Sequence, residues 1–230
     1  MKSQFRLFLI LEGSEEETFF EAWKSQGLIS SDFEVTFRNV KGSGNVVPYY
    51  QSAFANGDYD GVFCVYDVDN RAQEESSPFV LIQKGLLEIL GDPKAVLAVS
   101  LCTNPNILQM FLLCCDSLNH VALKTTSKKA NTPLLRHYWP EIAKEKETES
   151  KTHSVHYYDA EGWQLRLLSD SICYGPYSFE TMCREAKKLP LDYRHRLPAS
   201  NLLPFLNALK EGDRTYFRAV QKSLEDSEEE

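Results

Sequence analysis

No stretch of this 230-residue chain approaches the roughly 18 consecutive apolar residues that cross a bilayer, so no membrane-spanning helix is expected. Met1 to Arg6 leads straight into a strand-like run with no small-residue cleavage site behind it, which argues against a secretory signal. The six cysteines (Cys64, Cys102, Cys114, Cys115, Cys173 and Cys183) contain no Cys-x-x-Cys pair. Cys64 and Cys102 sit in apolar, strand-like runs and Cys114–Cys115 in a helix-like one. Buried free thiols in a reducing, cytoplasmic setting fit them better than disulfides or zinc. His153 and His156 have no nearby Cys or Glu-x-x-His partner, so zinc is not expected there either. Lys41-Gly42-Ser43-Gly44-Asn45 lacks the Walker spacing, and no Ser or Cys stands in a nucleophile elbow or dyad. The chain has no internal repeat. Positive charge is also scarce: 25 Lys and Arg face 33 Asp and Glu, a net charge of −8. Binding of nucleic acid through bulk charge is thereby disfavoured, because phosphates are usually met by Lys and Arg.

The charge is unevenly spread. Between His120 and Ser200 thirteen Lys or Arg outnumber ten Asp or Glu, which leaves −11 for the rest of the chain. Part of that negative charge lies in the tail from Glu225 to Glu230, whose simplest reading is a disordered, solvated end. A hydrophobic fraction of 43% and a charged fraction of 25% are ordinary for a globular chain, and the length suits one large domain or a medium one with an appendage.

The first half alternates strand and helix signals. Phe5 to Leu11 is an apolar run ended by Glu12-Gly13, after which Ser14 is a candidate N-cap for the acidic turn Glu15-Glu16-Glu17. Phe19, Phe20 and Trp23 fall on one helical face. Phe33 to Val40 alternates as a second strand, and Val46 to Ala55 reads as a helix. The intervening Lys41–Asn45 is a turn, or a place for a phosphate at a helix N-terminus. Gly61 to Tyr66 is the most apolar strand, as a central parallel strand should be. Helix Phe79 to Leu90, strand Ala95 to Leu101, a turn at Thr103-Asn104-Pro105 and helix Ile107 to Leu118 follow. This order predicts a parallel, right-handed, three-layer α/β sheet. After about Asn119 the alternation stops, and Pro176, Pro190, Pro198 and Pro204 divide a mainly helical remainder.

Three acids stand at predicted strand ends: Glu12, and Asp67 and Asp69 in Val65-Tyr66-Asp67-Val68-Asp69. In an open parallel sheet, ligands bind outside the carboxyl ends of the strands. Carboxylates gathered there repel one another unless a cation lies between them, which suggests Mg²⁺ and chemistry on a phosphate. If extension continues past Asp67, Asp67 and Asp69 point to the same side and could share one metal or bridge two. The alternative is that these acids cap loops or helices.

Leu11-Glu12-Gly13-Ser14-Glu15-Glu16-Glu17-Thr18-Phe19-Phe20 followed by Val62 to Asn70 resembles the Toprim domains of the RloB-like and OLD-like families. These are related to the Toprim domains of topoisomerases, primases and the PARIS nuclease subunit. Glu12-Gly13 with Glu16 matches the Glu-Gly-x-x-Glu-Glu block, and Asp67 with Asp69 the Asp-x-Asp strand end. Thr103-Asn104-Pro105 through Leu112-Leu113 is similar to the third RloB block. The resemblance covers about residues 5 to 115. It departs from the pattern at Leu108, where the family has a Glu, with Gln109 next, and at Cys114, where it has a His.

What the resemblance implies is a Toprim-like parallel sheet sandwiched by helices, placed over residues 1–118; the chain's own pattern adds a mainly helical appendage over 119–224 and an acidic tail over 225–230. The resemblance further implies a Mg²⁺-dependent nuclease (Mn²⁺ serving the same chemistry) that cleaves DNA or RNA, tRNA included, as an effector of antiviral defence. Glu12, Asp67 and Asp69 would be catalytic, and Glu12, Glu16, Asp67 and Asp69 would hold the metal. Lys124, Lys128, Lys129 and Arg136, in the less acidic half, are the candidate substrate clamp, with a solvated loop as the plainer reading. Trp139, Tyr157, Tyr158 and Trp163 could stack on unpaired bases or fill a core. A partner ATPase that senses infection follows by family analogy, and a homodimer is left open. The missing Glu at Leu108 and the acidic balance support a second reading, a catalytically weak or inactive interaction subunit. Primase-like nucleotidyl transfer or nucleotide hydrolysis is a third.

Overall fold

Strand β1 (Phe5–Leu11) divides its side chains between two apolar layers, Leu7, Leu9 and Leu11 to one and Ile10 to the other. That division recurs in β3 (Gly61–Asp67), where Phe63 and Val65 join the first layer and Val62, Cys64 and Tyr66 the second. A strand apolar on both faces must be covered on both, and this one is. The computed structural model describes residues 4–69, 71–114, 116, 119–124 and 178–225. Within them the chain is an α/β protein. Its five-stranded sheet has the order β2-β1-β3-β4-β5, four strands running parallel and β5 antiparallel. None of the helices described is long and apolar enough to cross a membrane.

Helix α1 (Ser14–Ser25) begins one residue earlier than a Ser14 cap would place it. Gly13, in extended backbone, is the cap, and the Glu16 carboxylate reaches back to accept its N–H at 2.9 Å. Phe19, Phe20 and Trp23 are buried on the β1 side as expected. The edge strand β2 (Phe33–Asn39) buries Phe33 and partly buries Val35 and Phe37, while Glu34, Thr36 and Arg38 face out. A short 3₁₀ turn over Ser43–Asn45 leads into α2 (Val46–Asn56) on the opposite face. Helix α3 (Pro78–Leu90) is started by Ser77, whose hydroxyl accepts the Val80 N–H at 3.2 Å, and by Pro78 at the first turn.

The expected strand Ala95–Leu101 is mostly helix. Residues Pro93–Val99 form α4, and β4 spans Ser100–Asn104. Asp92 caps that helix through the Lys94 N–H at 2.9 Å and Pro93 opens it; Ala95, Val96 and Val99 then bury one helical face. So short an apolar run is ambiguous in period, and the cap decides it. Thr103 and Asn104 consequently end β4 rather than form a turn. Helix α5 (Leu108–Leu113) is shorter than Ile107–Leu118, and a single turn, α6 (Asn119–Ala122), follows it.

The chain beyond 178 is bound into this core. Helix α7 (Phe179–Ala186), α8 (Leu202–Glu211) and α9 (Arg214–Glu225) place Phe179, Phe205 and Phe217 in the same apolar layer as α1 and α5. The segment expected to be mainly helical also supplies β5 (Ala199–Ser200), which closes the β4 edge. Ser200 Oγ donates to the Cys102 carbonyl at 3.1 Å and Asn201 Nδ2 to the Ser100 carbonyl at 2.7 Å. Lys128, Lys129, Arg136, Trp139, His153, His156, Tyr157, Tyr158, Trp163, Cys115, Cys173 and residues 226–230 lie outside the described residues.

Candidate functional site

The chain leaves β1 through α1 to reach β2 on one side, and leaves β3 through α3 and α4 to reach β4 on the other. Because α1 covers one face and α3 and α4 the opposite face, the connections diverge between β1 and β3. Such a switch point opens a crevice outside the carboxyl ends of the two strands. Glu12 directly follows β1 and Asp67 ends β3.

Backbone amides hold both acids. Glu12 N donates to the Val65 carbonyl at 3.0 Å, and Glu12 Oε2 accepts the Asp67 N–H at 3.1 Å. Asp67 Oδ1 in turn accepts the Ile107 N–H at 2.8 Å, which ties the end of β3 to the entry of α5. Asp69 does not continue the strand. It takes a left-handed backbone (φ 51°) tolerable for Asp, and its N–H donates to the Pro105 carbonyl at 2.7 Å. The exposed Asp69 is therefore placed by a turn, not by continued extension beside Asp67. On the β2 side the Gly42 N–H donates to the Glu12 carbonyl at 2.7 Å, bringing the Lys41–Gly42 turn against the same strand end.

The electrostatics follow from this crowding. Glu15 and Glu16, on the first turn of α1, are both buried. Burial, then the charges of Glu15 and Glu12, push the Glu16 carboxyl up to about 8 from its usual 4.5. Asp67 is held well above the usual carboxylate range, first by burial and then by Glu16, Glu12, Glu15 and Asp69. Each case is desolvation reinforced by like charge. Near neutral pH this crowding favours a proton shared within the Glu16 and Asp67 set.

Two further polar side chains sit beside it. Asn106 and Gln109 flank the Ile107 amide that anchors Asp67, both are completely buried, and neither amide oxygen nor nitrogen has a hydrogen-bond partner. Buried carboxamides are normally satisfied, so these two sets of unmet donors and acceptors are exceptional in the core next to the Ile107 turn. Their sequence signal is two amides three residues apart inside the apolar stretch Pro105 to Leu113, a pattern that puts both on one helical face. Leu108, where the related pattern has a Glu, is wholly buried in the α1 layer, and the Cys114 thiol donates to the Met110 carbonyl at 3.4 Å in the same layer.

The fold thus gathers Glu12, Glu16 and Asp67, with Asp69 at the rim and Glu15 as a member that its helix position alone does not mark. Lys124 is exposed just beyond α6, and among the described residues no hydrogen bond or ion pair joins it to these acids. Also among the described residues, no three His, Cys, Asp or Glu side chains form a group that could hold a metal ion. The hydrogen bonds supply a reason: Glu12, Glu16 and Asp67 each turn one oxygen to a backbone N–H. No protein-family model matches this chain, and neither the curated proteins nor the solved structures yield a match.

Proposed function

We propose that the carboxylates at the β1–β3 switch point form a Mg²⁺-dependent phosphodiesterase site, in a Toprim-like domain acting on nucleic acid. The observation that carries this reading is the pair of acids, Glu16 and Asp67, raised first by burial and then by neighbouring carboxylates, Glu15 and Glu12 on Glu16, and Glu16, Glu12, Glu15 and Asp69 on Asp67. Desolvated negative charge without a counter-charge is what a divalent cation relieves, and an all-carboxylate set offers the hard oxygens that Mg²⁺ or Mn²⁺ takes. Glu12, Glu16, Asp67 and Asp69 would hold the ion, with Glu12 and Asp67 turning from their amide partners to do so. A metal held there would supply activation of water and stabilisation of the leaving oxygen of a phosphodiester. Before any cation binds, the Ile107 amide keeps Asp67 at the strand end, and Glu16 would give up its proton on binding. The exposed Lys41, in the turn held against the Glu12 strand end, and Lys124 are the cations assigned to meet the substrate phosphate. Service as a defence effector beside an ATPase sensor, or as a homodimer, rests on the resemblance alone.

The test is cleavage of DNA, RNA and tRNA with Mg²⁺ or EDTA, comparing the native chain with Asp67→Asn and Glu12→Gln. The expected result is metal-dependent cleavage lowered about a hundredfold or more by either substitution. The same variants should lose a Mg²⁺-induced rise in melting temperature. Cleavage indifferent to EDTA and to both substitutions overturns the reading. Leu108 in the core and the unconverged carboxylates favour a second one, an interaction subunit without cleavage of its own. Absence of cleavage on every substrate, alone or with a candidate ATPase, would select it.

A further inference from the structure

On the sheet face away from α1, a cavity of about 350 Å³ opens between α3, α4 and the loop that precedes β5. Phe79, Val80, Leu87 and Val96 give it an apolar wall, and no acidic side chain lines it. Arg194 does line it, partly buried. One guanidinium nitrogen donates to Gln83 Oε1 at 2.6 Å, while Nε is buried with no partner at all.

Gln83 is fixed from behind. Its amide nitrogen donates to the Tyr66 hydroxyl and, at 3.1 Å, to Ser100 Oγ, so its oxygen is left for Arg194. Tyr66 itself donates to Ser100 Oγ at 2.8 Å, which roots the chain of bonds in β3 and β4. Arg194 is thereby oriented by the sheet, yet no carboxylate among the described residues neutralises it. The nearest in sequence, Asp192, is exposed and takes His195 Nδ1 at 3.0 Å. The neighbouring Tyr193 hydroxyl is held above its ordinary range by burial and brings no negative charge.

A guanidinium withdrawn from water without a counter-ion is costly, and its planar fork matches phosphate or carboxylate oxygens two at a time. The exposed Lys84 adds a second cation at the same cavity. Beyond the cations, the aromatic edge of Phe79 and the aliphatic wall suit a flat apolar body, and the Gln73 amide can meet the edge of a heterocycle. We propose that this cavity is a binding site for a nucleoside monophosphate, its phosphate on Arg194 and Lys84 and its base against the α3–α4 wall. The site is separate from the carboxylate cluster and stands without the metal reading. Its rim residues Ala72 and Gln73 belong to the loop that follows Asp69, so an occupant touches that loop.

The experiment is calorimetric titration of the full chain, in EDTA, with AMP, GMP, CMP and UMP, and separately with adenosine and with inorganic phosphate. At least one nucleotide should bind tenfold or more tighter than either fragment. Arg194→Gln should weaken that binding at least tenfold. Leu87→Glu, at a side chain already 39% exposed, should do the same by setting a carboxylate in the cavity without touching the core. Circular dichroism and melting temperature check that both variants fold. Binding no tighter than that of phosphate or adenosine overturns the proposal, as does equal binding by the native chain and folded Leu87→Glu. A preference for an aromatic carboxylate such as benzoate, with no nucleotide bound, would keep an anion site and refute the nucleotide.

Discussion

Replacing Glu16 by Gln should make this protein more stable at pH 8 and reduce the pH dependence of its stability above pH 5, leaving the part that the buried Asp67 contributes. The buried Glu16 carboxyl is pushed up to about 8, against 4.5 for the unhindered side chain. The folded chain therefore binds a proton at this site more tightly than the unfolded chain does. Between those two pH values the folded state carries more protons, so stability is fully present below about 4.5 and is lost as pH rises toward 8. At about 1.4 kcal/mol per pH unit, the whole window is worth roughly 5 kcal/mol, a large share of a typical domain's total stability. The substituted amide keeps an oxygen to accept the Gly13 N–H, which Glu16 now accepts at 2.9 Å, so the start of α1 survives the change. It also removes the largest charge acting on Asp67, whose own elevation should relax. Urea unfolding at pH 5, 6, 7 and 8 in EDTA reads the effect. The native chain should lose stability steadily across the series, and the variant should lose clearly less, with an unchanged m-value. A native stability that is constant or rises from pH 5 to 8, or a variant with the native slope, would refute the reasoning.

Two other expectations concern the frame that holds the site. A Cβ on Gly85 would lie 2.8 Å from both Val47 methyl carbons, so Gly85→Ala should cost about 1–2 kcal/mol despite its better helix propensity, with Val47→Ala restoring part of the loss in urea unfolding of the double variant. Phe217 packs against the rings of Phe5, Phe33, Phe63 and Phe205, so Phe217→Ala should cost about 3–5 kcal/mol and shift one cooperative transition; a separate low-temperature transition would show instead that α9 melts apart from the sheet.

The first three strands and helices α1 to α3 are legible in the sequence because their signals are local. β1 from Leu7 and β3 are apolar runs closed by charge, β2 alternates, and Ser77-Pro78 announces a helix whichever neighbours it finds. Helix α4 reads as a strand because Ala95 to Leu101 satisfies either period, and only the Asp92–Pro93 start argues for a helix. The two residues of β5 carry no pattern of their own. They are a strand because β4 offers them an edge, and the Ser200 and Asn201 side chains bond back to it.

The same division runs through the carboxylates. That Glu12 and Asp67 close apolar strands, and that Glu16 lies in a first helical turn, is determined by the sequence alone, since each statement needs only near neighbours. That β1 lies beside β3, so that these acids share one crevice and Glu12 and Glu16 raise the Asp67 carboxyl, is decided by the tertiary structure. So are the burial of Asn106 and Gln109 without partners and the lone guanidinium of Arg194 over Gln83, 111 residues away in the chain. Desolvation and Coulomb energy depend on distance in space, and strand order sets that distance between residues that no local pattern connects.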